Sequence, residues 1–137
     1  MRRWARIGAV RRALLVEATG ELAVAAAAVG LLPFKRAVRS GSINLLSTAV
    51  QPHTALTEDI RWAVQAAAKR VPWRAVCFQQ GLAIQRMLRR RGVDARLHYG
   101  VGHVDQGLGA HVWVSVGGSI VIGGEQAGAF RLLASYP

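Results

Sequence analysis

The sequence predicts an α+β domain in which the helices come first and an antiparallel sheet comes last. Apolar residues recur at the helical period of about 3.6 as far as residue 91. From Arg96 onward the period changes to two, which is typical of strands with one buried face. A glycine pair at 117–118 separates two such stretches and favours a tight hairpin turn.

An amino-terminal helical hairpin is expected over residues 1–39. Apolar residues at helical spacing predict a first helix over 5–19, and Gly20 is suited to end it. A second, Ala-rich helix over 21–32 is expected to stop at Pro33, because proline cannot continue a helix.

Two further helices are expected over residues 54–91. The first begins at Thr54, with acidic residues in its first turns, and is broken by Pro72. The second begins after Trp73 and is stopped by Gly92, which suits a left-handed cap. The buried stripe of this fourth helix is expected to contain Cys77, Gly81, Ile84 and Leu88.

An antiparallel sheet is expected over residues 95–134. Apolar and polar side chains alternate over 96–101 and again over 111–116. After the glycine turn, a returning strand is placed at 120–122 and a last strand at 130–134.

Length and composition bound the class of protein. A chain of 137 residues fits a single domain over 1–137, and a hydrophobic fraction of 52% excludes intrinsic disorder. One cysteine cannot form an intramolecular disulfide, which excludes a disulfide-stapled secreted scaffold and favours a cytoplasmic protein.

The formal net charge of +11 raises the alternative of nucleic-acid binding. Five arginines lie in the first twelve residues, and four more belong to the fourth predicted helix: Arg86, Arg89, Arg90 and Arg91. No recognition motif with interleaved aromatic residues accompanies them. We therefore expect a solvated basic face or a surface that docks an acidic partner, and no nucleic acid.

No membrane-spanning segment is expected. The apolar run that ends at Pro33 is shorter than the ~20 residues a spanning helix needs, and it follows closely on Glu17 and Glu21. Contact of the amino-terminal helices with a membrane surface stays open as an alternative that we do not expect.

Cys77 and His111 are the candidate catalytic pair. Cys77 lies in the first turn of a predicted helix, where unpaired N–H groups and the positive end of the dipole stabilise a thiolate. His111 begins a predicted strand, and a thiol served by an imidazole is the arrangement for thiol acyl transfer. The alternative is that Cys77 is a small buried hydrophobic residue. Trp113 shares the strand face of His111 and either shields the imidazole or fills the core.

The other histidines give no metal site. His98 lies on the polar side of a predicted strand, His103 in a glycine-rich loop at 100–109, and His53 before a helix. A single cysteine with no closely spaced histidines leaves a structural zinc ion without ligands. The glycine-rich segments lack the strand and helix context of a nucleotide site, so no cofactor is expected.

A resemblance to a known family rests on two segments, CFQQGLAIQRMLRRRGVDARLHYGV at 77–101 and GAHVWVSVGGSIVIGG at 109–124. Together they resemble the transglutaminase-like leader peptidases of lasso-peptide biosynthesis, over roughly residues 54–134. That family has a cysteine opening a helix, an L-x-x-x-G-V segment leading into a strand, and a following A-H-x-W-V strand.

The resemblance implies a papain- or transglutaminase-like fold, with Cys77 as the nucleophile and His111 as the general base. It implies cleavage of a ribosomally made precursor peptide between leader and core, before a separate ATP-dependent synthetase closes the macrolactam. Many such peptidases are split, so the resemblance also implies a leader-binding protein on another chain.

One position departs from the pattern of that family. Many members place an aspartate twelve residues after the histidine, and here that position is Gly123. Glu125 is the nearest acid, and a strand bulge would be needed to turn it towards His111, since alternate residues face opposite ways. A backbone carbonyl is the other candidate for orienting the imidazole. A non-catalytic scaffold of the same fold and a basic nucleic-acid or membrane-surface protein remain the rival functions.

Overall fold

A computed structural model describes residues 8–31, 33, 36, 54–104, 107–117, 119–123 and 131–136. Within these residues, three helices precede the sheet: α1 (Ala9–Leu31), α2 (Thr54–Ala68) and α3 (Cys77–Arg90). Four described strands follow: β1 (Ala95–Val104), β2 (Gly107–Val116), β3 (Ser119–Ile122) and β4 (Arg131–Tyr136). The predicted α+β class, with helices first and an antiparallel sheet last, is confirmed.

The amino-terminal segment is one continuous helix in place of the predicted hairpin. α1 passes through Gly20, which is exposed and has no atom near its missing side chain. A glycine inside a helix costs about 1 kcal/mol, and the packing on either side of it outweighs this cost. The buried stripe on both sides of Gly20 consists of Leu14, Leu15, Ala18, Leu22 and Ala25.

By length and composition, α1 also qualifies as a candidate membrane span, with a mean hydropathy of 1.7. A buried helix of a soluble core passes the same test. The buried stripe of α1 packs against α2 and α3.

A cluster of five charged residues joins α1 to α3. The Glu21 carboxylate, almost fully buried, accepts from Arg86 Nε at 2.7 Å and also from Arg90. Glu17 accepts from Arg90 at 2.7 Å and from Arg91 at 2.9 Å. These arginine partners hold the pKa of Glu17 below its usual value, the hydrogen bond from Arg91 being the largest cause. The predicted solvated arginine face is thus engaged in ion pairs within the chain.

The sheet has the strand order β3-β2-β1-β4 and is antiparallel throughout. β1 and β2 pair from Ala95↔Val116 to Val104↔Gly107, so the region predicted as a glycine-rich loop is two long strands and His103 belongs to β1. The pair Val116↔Ser119 confirms the predicted hairpin between β2 and β3, and Gly117, which follows β2, has a φ of +55°. The last strand begins at Arg131, one residue after the predicted start.

The helix α3 lies against β1 and β2 at close range because it presents Gly81 to the sheet. A Cβ atom at Gly81 would lie 3.0 Å from Val112 and 3.1 Å from Leu97. Leu82, Ile84 and Leu88 of the same helix are fully buried. This packing fixes the start of α3 relative to β2.

The buried carboxylate of Glu21 gives the first prediction. In Glu21→Gln, Arg86 and Arg90 lose their charged acceptor in a half-buried setting, and we expect the free energy of unfolding to fall by about 2 kcal/mol. Chemical denaturation measures the change. Asp59→Asn, which breaks an exposed pair with Arg11, is the control and should cost less than about 1 kcal/mol. An equal loss of unfolding free energy in the two variants would contradict the conclusion that the buried cluster stabilises the fold more than an exposed ion pair does.

Candidate active site

Cys77 is the first residue of α3 and is exposed to solvent. The prediction that Cys77 belongs to the buried stripe of the helix was wrong. Cys77 lies one turn before Gly81, at which the helix packs on the sheet. The preceding Val76 is extended, and no side chain caps the helix. The N-cap residue Val76 thus provides no side-chain acceptor for the first-turn N–H groups beside the sulfur.

Two glutamines hold the segment before Cys77 in place. Gln79 accepts a hydrogen bond from the indole nitrogen of Trp73 at 3.1 Å. The Gln80 amide donates to the Ala75 carbonyl at 2.8 Å. Sequence reasoning gave these glutamines no role, although two consecutive amides directly after a candidate nucleophile were a signal for one.

His111 lies on β2 and is buried, with 7% of its surface exposed. Its Nε2 lies 3.0 Å from the carbonyl oxygen of Gly123. A carbonyl only accepts hydrogen bonds, so Nε2 carries the proton. In the neutral ring, Nδ1 then carries the lone pair and is the nitrogen that can act as a base.

Gly123 meets His111 through its backbone and has no room for a side chain. Its φ is +82°, a left-handed conformation that glycine adopts without strain. A Cβ atom would lie 2.8 Å from the Val112 carbonyl oxygen and 3.0 Å from His111 Nε2. An aspartate at this position therefore does not fit the observed backbone, and the Gly123 carbonyl takes up the hydrogen bond to the imidazole.

The other candidate for that role, Glu125, lies outside the described residues. The pairing of β2 with β3 does contain an irregularity between Val114 and Ser115, of the kind that a turn of Glu125 towards His111 would require. β3 is described as far as Ile122, where the chain leaves the sheet.

Trp113 lies between two imidazole rings on one face of the sheet. Its indole stacks on His111 at 6.1 Å between ring centroids and on His98 at 5.7 Å. The two nitrogens of His98 contact the hydroxyl oxygens of Ser135 at 2.7 Å and Ser115 at 2.6 Å. Trp113 is mostly buried and its indole contacts the His111 ring, whereas the hydrophobic core cluster of the described residues does not include it.

Cys77 and His111 line the same cleft, which has a volume of about 320 Å³. The strands β2 and β3 form one wall, and the wall opposite includes Arg61 and Gln65 of α2. Gln80, three residues after Cys77 on α3, also lines this cleft. Sequence reasoning did not select Arg61 or Gln65, because only the fold brings α2 alongside β3.

The described residues contain no group of three or more His, Cys, Asp or Glu side chains close enough to hold a metal ion. His53 lies outside the described residues, as does the side chain of His103. The described side chains of the cleft offer a thiol, an imidazole, the Arg61 guanidinium and the amides of Gln65 and Gln80.

Comparison with protein families agrees with the fold. A family model described as the transglutaminase-like superfamily matches residues 19–135. The chain therefore belongs to the transglutaminase-like superfamily, whose members are usually cysteine peptidases or transferases. No curated protein and no solved structure matches the chain.

The pKa of His98 gives a prediction on stability. Burial lowers this pKa from its ordinary value of 6.5, and the neighbouring Arg96 charge lowers it further. The folded protein thus favours the neutral His98 ring more than the unfolded chain does. The resulting stabilisation of the fold is fully present above about pH 6.5 and is lost as the pH falls below that value. We expect the free energy of unfolding to decrease between pH 7 and pH 5. His98→Gln should reduce the decrease; an unchanged pH dependence in this variant would contradict the assignment.

Proposed function

We propose that this chain is a cysteine peptidase that separates the leader from the core of a ribosomally made lasso-peptide precursor. The observation that carries the proposal is the shared cleft of Cys77 and His111, with the imidazole oriented by Gly123. Membership of the transglutaminase-like superfamily supports the reaction class. The two sequence segments described above support the choice of substrate.

The proposed reaction begins at the thiol. The Cys77 thiolate attacks the carbonyl carbon of the leader–core bond and forms a C–S bond, while His111 holds the proton taken from the thiol. The C–N bond then breaks, and the proton passes from His111 to the amine of the core. Water, deprotonated by His111, hydrolyses the thioester and releases the leader as a carboxylic acid.

The start of α3 contributes to the stabilisation of charge in this reaction. The Cys77 backbone N–H lies in an uncapped first helical turn, where it can donate to the oxyanion that forms on the attacked carbonyl. The Gly123 carbonyl accepts a hydrogen bond from the Nε2–H of His111 and so holds the imidazole in one orientation.

The proposed partners follow from the substrate. A leader-binding protein on a separate chain presents the precursor, and an ATP-dependent macrolactam synthetase uses the amine that cleavage frees. We propose a cytoplasmic location, where the precursor is made.

Replacement of the two catalytic residues tests the reaction. With precursor peptide and the leader-binding protein, Cys77→Ala and His111→Gln should each lower kcat/KM by about four orders of magnitude. Mass spectrometry of the products separates a peptidase, which adds water to the leader, from a transferase, which joins it to an amine. Release of the leader by Cys77→Ala at the wild-type rate would contradict the assignment.

The Gly123 carbonyl gives a second test of the mechanism. In Gly123→Ala, the new methyl group displaces the carbonyl from the ring, and kcat/KM should fall about 100-fold. The loss should appear in kcat more than in KM, because Gly123 acts on the orientation of the imidazole. Gly107→Ala is the matched control, because Gly107 has a φ of +114° but no atom within 4 Å of its Cβ position. An effect of equal size in both variants, or a loss confined to KM, would argue against a positioning role for Gly123.

A further inference from the structure

A second cleft adjoins the one that contains the thiol. It has a volume of about 290 Å³ and extends to Thr57, Glu58 and Gly117. The two clefts share Arg61 on one wall and Ile120 and Val121 on the other. They therefore form one groove between α2 and β3 that leads to Cys77.

The β3 wall of this groove is an edge of the sheet. Within the described residues, β3 pairs with β2 on one side, and no strand pairs with its other side. An edge strand offers unpaired N–H and C=O groups to which an extended peptide can add as a further strand. Ile120, at 47% exposure, gives the edge an apolar contact surface. The groove thus suits an extended segment of a peptide substrate.

Arg61 places a positive charge in the middle of the groove. It is exposed and forms no ion pair with any described residue, whereas Arg86, Arg90 and Arg91 are held by carboxylates of α1. Its guanidinium donors are consequently available to a carboxylate of the bound peptide.

We infer that Arg61 is a specificity-determining residue that selects peptide substrates with an acidic side chain close to the cleaved bond. This inference rests on the proposed peptidase function and concerns the substrate preference of the same site. Glu58, one helical turn earlier, is also in the groove and repels an acidic side chain at the far end. The preference is therefore local to the part of the groove shared by the two clefts.

The geometry of α2 gives the position of this preference. Gln65 lines only the cleft that contains Cys77, whereas Arg61 also lines the second cleft; Gln65 follows Arg61 by four residues, a rise of about 6 Å along the helix. An extended peptide covers the same distance in about two residues, at ~3.3 Å each. The acidic side chain is thus expected about two residues from the cleaved bond.

A positional library of precursor peptides tests the inference. Each of the three positions on either side of the cleaved bond is varied among Glu, Gln and Lys, and the variants compete for cleavage in the presence of the leader-binding protein. Wild-type protein should prefer Glu over Gln by about two- to five-fold at one position, as expected for a solvent-exposed ion pair. Arg61→Gln should abolish this preference, and Arg61→Glu should reverse it in favour of Lys.

Arg131→Gln is the matched control, because Arg131 is an exposed arginine on β4, at the opposite edge of the sheet. It should keep the wild-type preference, and a loss of preference in this variant would overturn the inference. So would cleavage by the wild-type protein without any preference for Glu, or a preference that Arg61→Glu does not change. Failure to cut any peptide in the library would instead overturn the proposed peptidase function, and the inference with it.

Discussion

The close approach of α3 to the sheet at Gly81 is the constraint on which the site depends. With hydrogen as its side chain, Gly81 lets the helix backbone come within contact distance of Val112 and Leu97. Cys77 lies one turn earlier on the same helix, and His111 is the residue before Val112 on β2. A larger residue at Gly81 would push the helix away from the strand and carry the thiol away from the cleft. A packing requirement in the core thus sets the geometry of a polar surface site.

The ion-pair cluster between α1 and α3 acts on the same helix from its other side. Glu21 is almost fully buried and is held by two arginines, which ties the carboxyl half of α3 to α1. Gly81 fixes the depth of the helix against the sheet, and the cluster fixes its lateral position. Much of the positive charge on α3 is therefore balanced within the chain, while the charge of Arg61 stays available in the groove.

The sequence predicts most of the architecture, and the differences have physical causes. The change of period after Gly92 and the glycine turn at 117–118 are local signals, and both agree with the structure. The continuity of α1 through Gly20 depends on tertiary burial, which no local pattern reveals. The sequence left Glu125 and a backbone carbonyl as candidates for orienting His111, because glycine at position 123 shows only that no acid stands there; which carbonyl serves depends on the path of the chain after β3. Arg61 enters the cleft through the packing of α2 beside β3, a contact between residues distant in sequence.

The coupling between Cys77 and His111 is the central claim, and the alkylation rate of the thiol measures it directly. Because Cys77 is the one cysteine of the chain, mass spectrometry reports its reaction with iodoacetamide without ambiguity. At pH 6, the account predicts that the wild-type thiol reacts at least ten-fold faster than free cysteine and that His111→Gln removes most of this advantage. Equal rates for wild type, His111→Gln and free cysteine would contradict it.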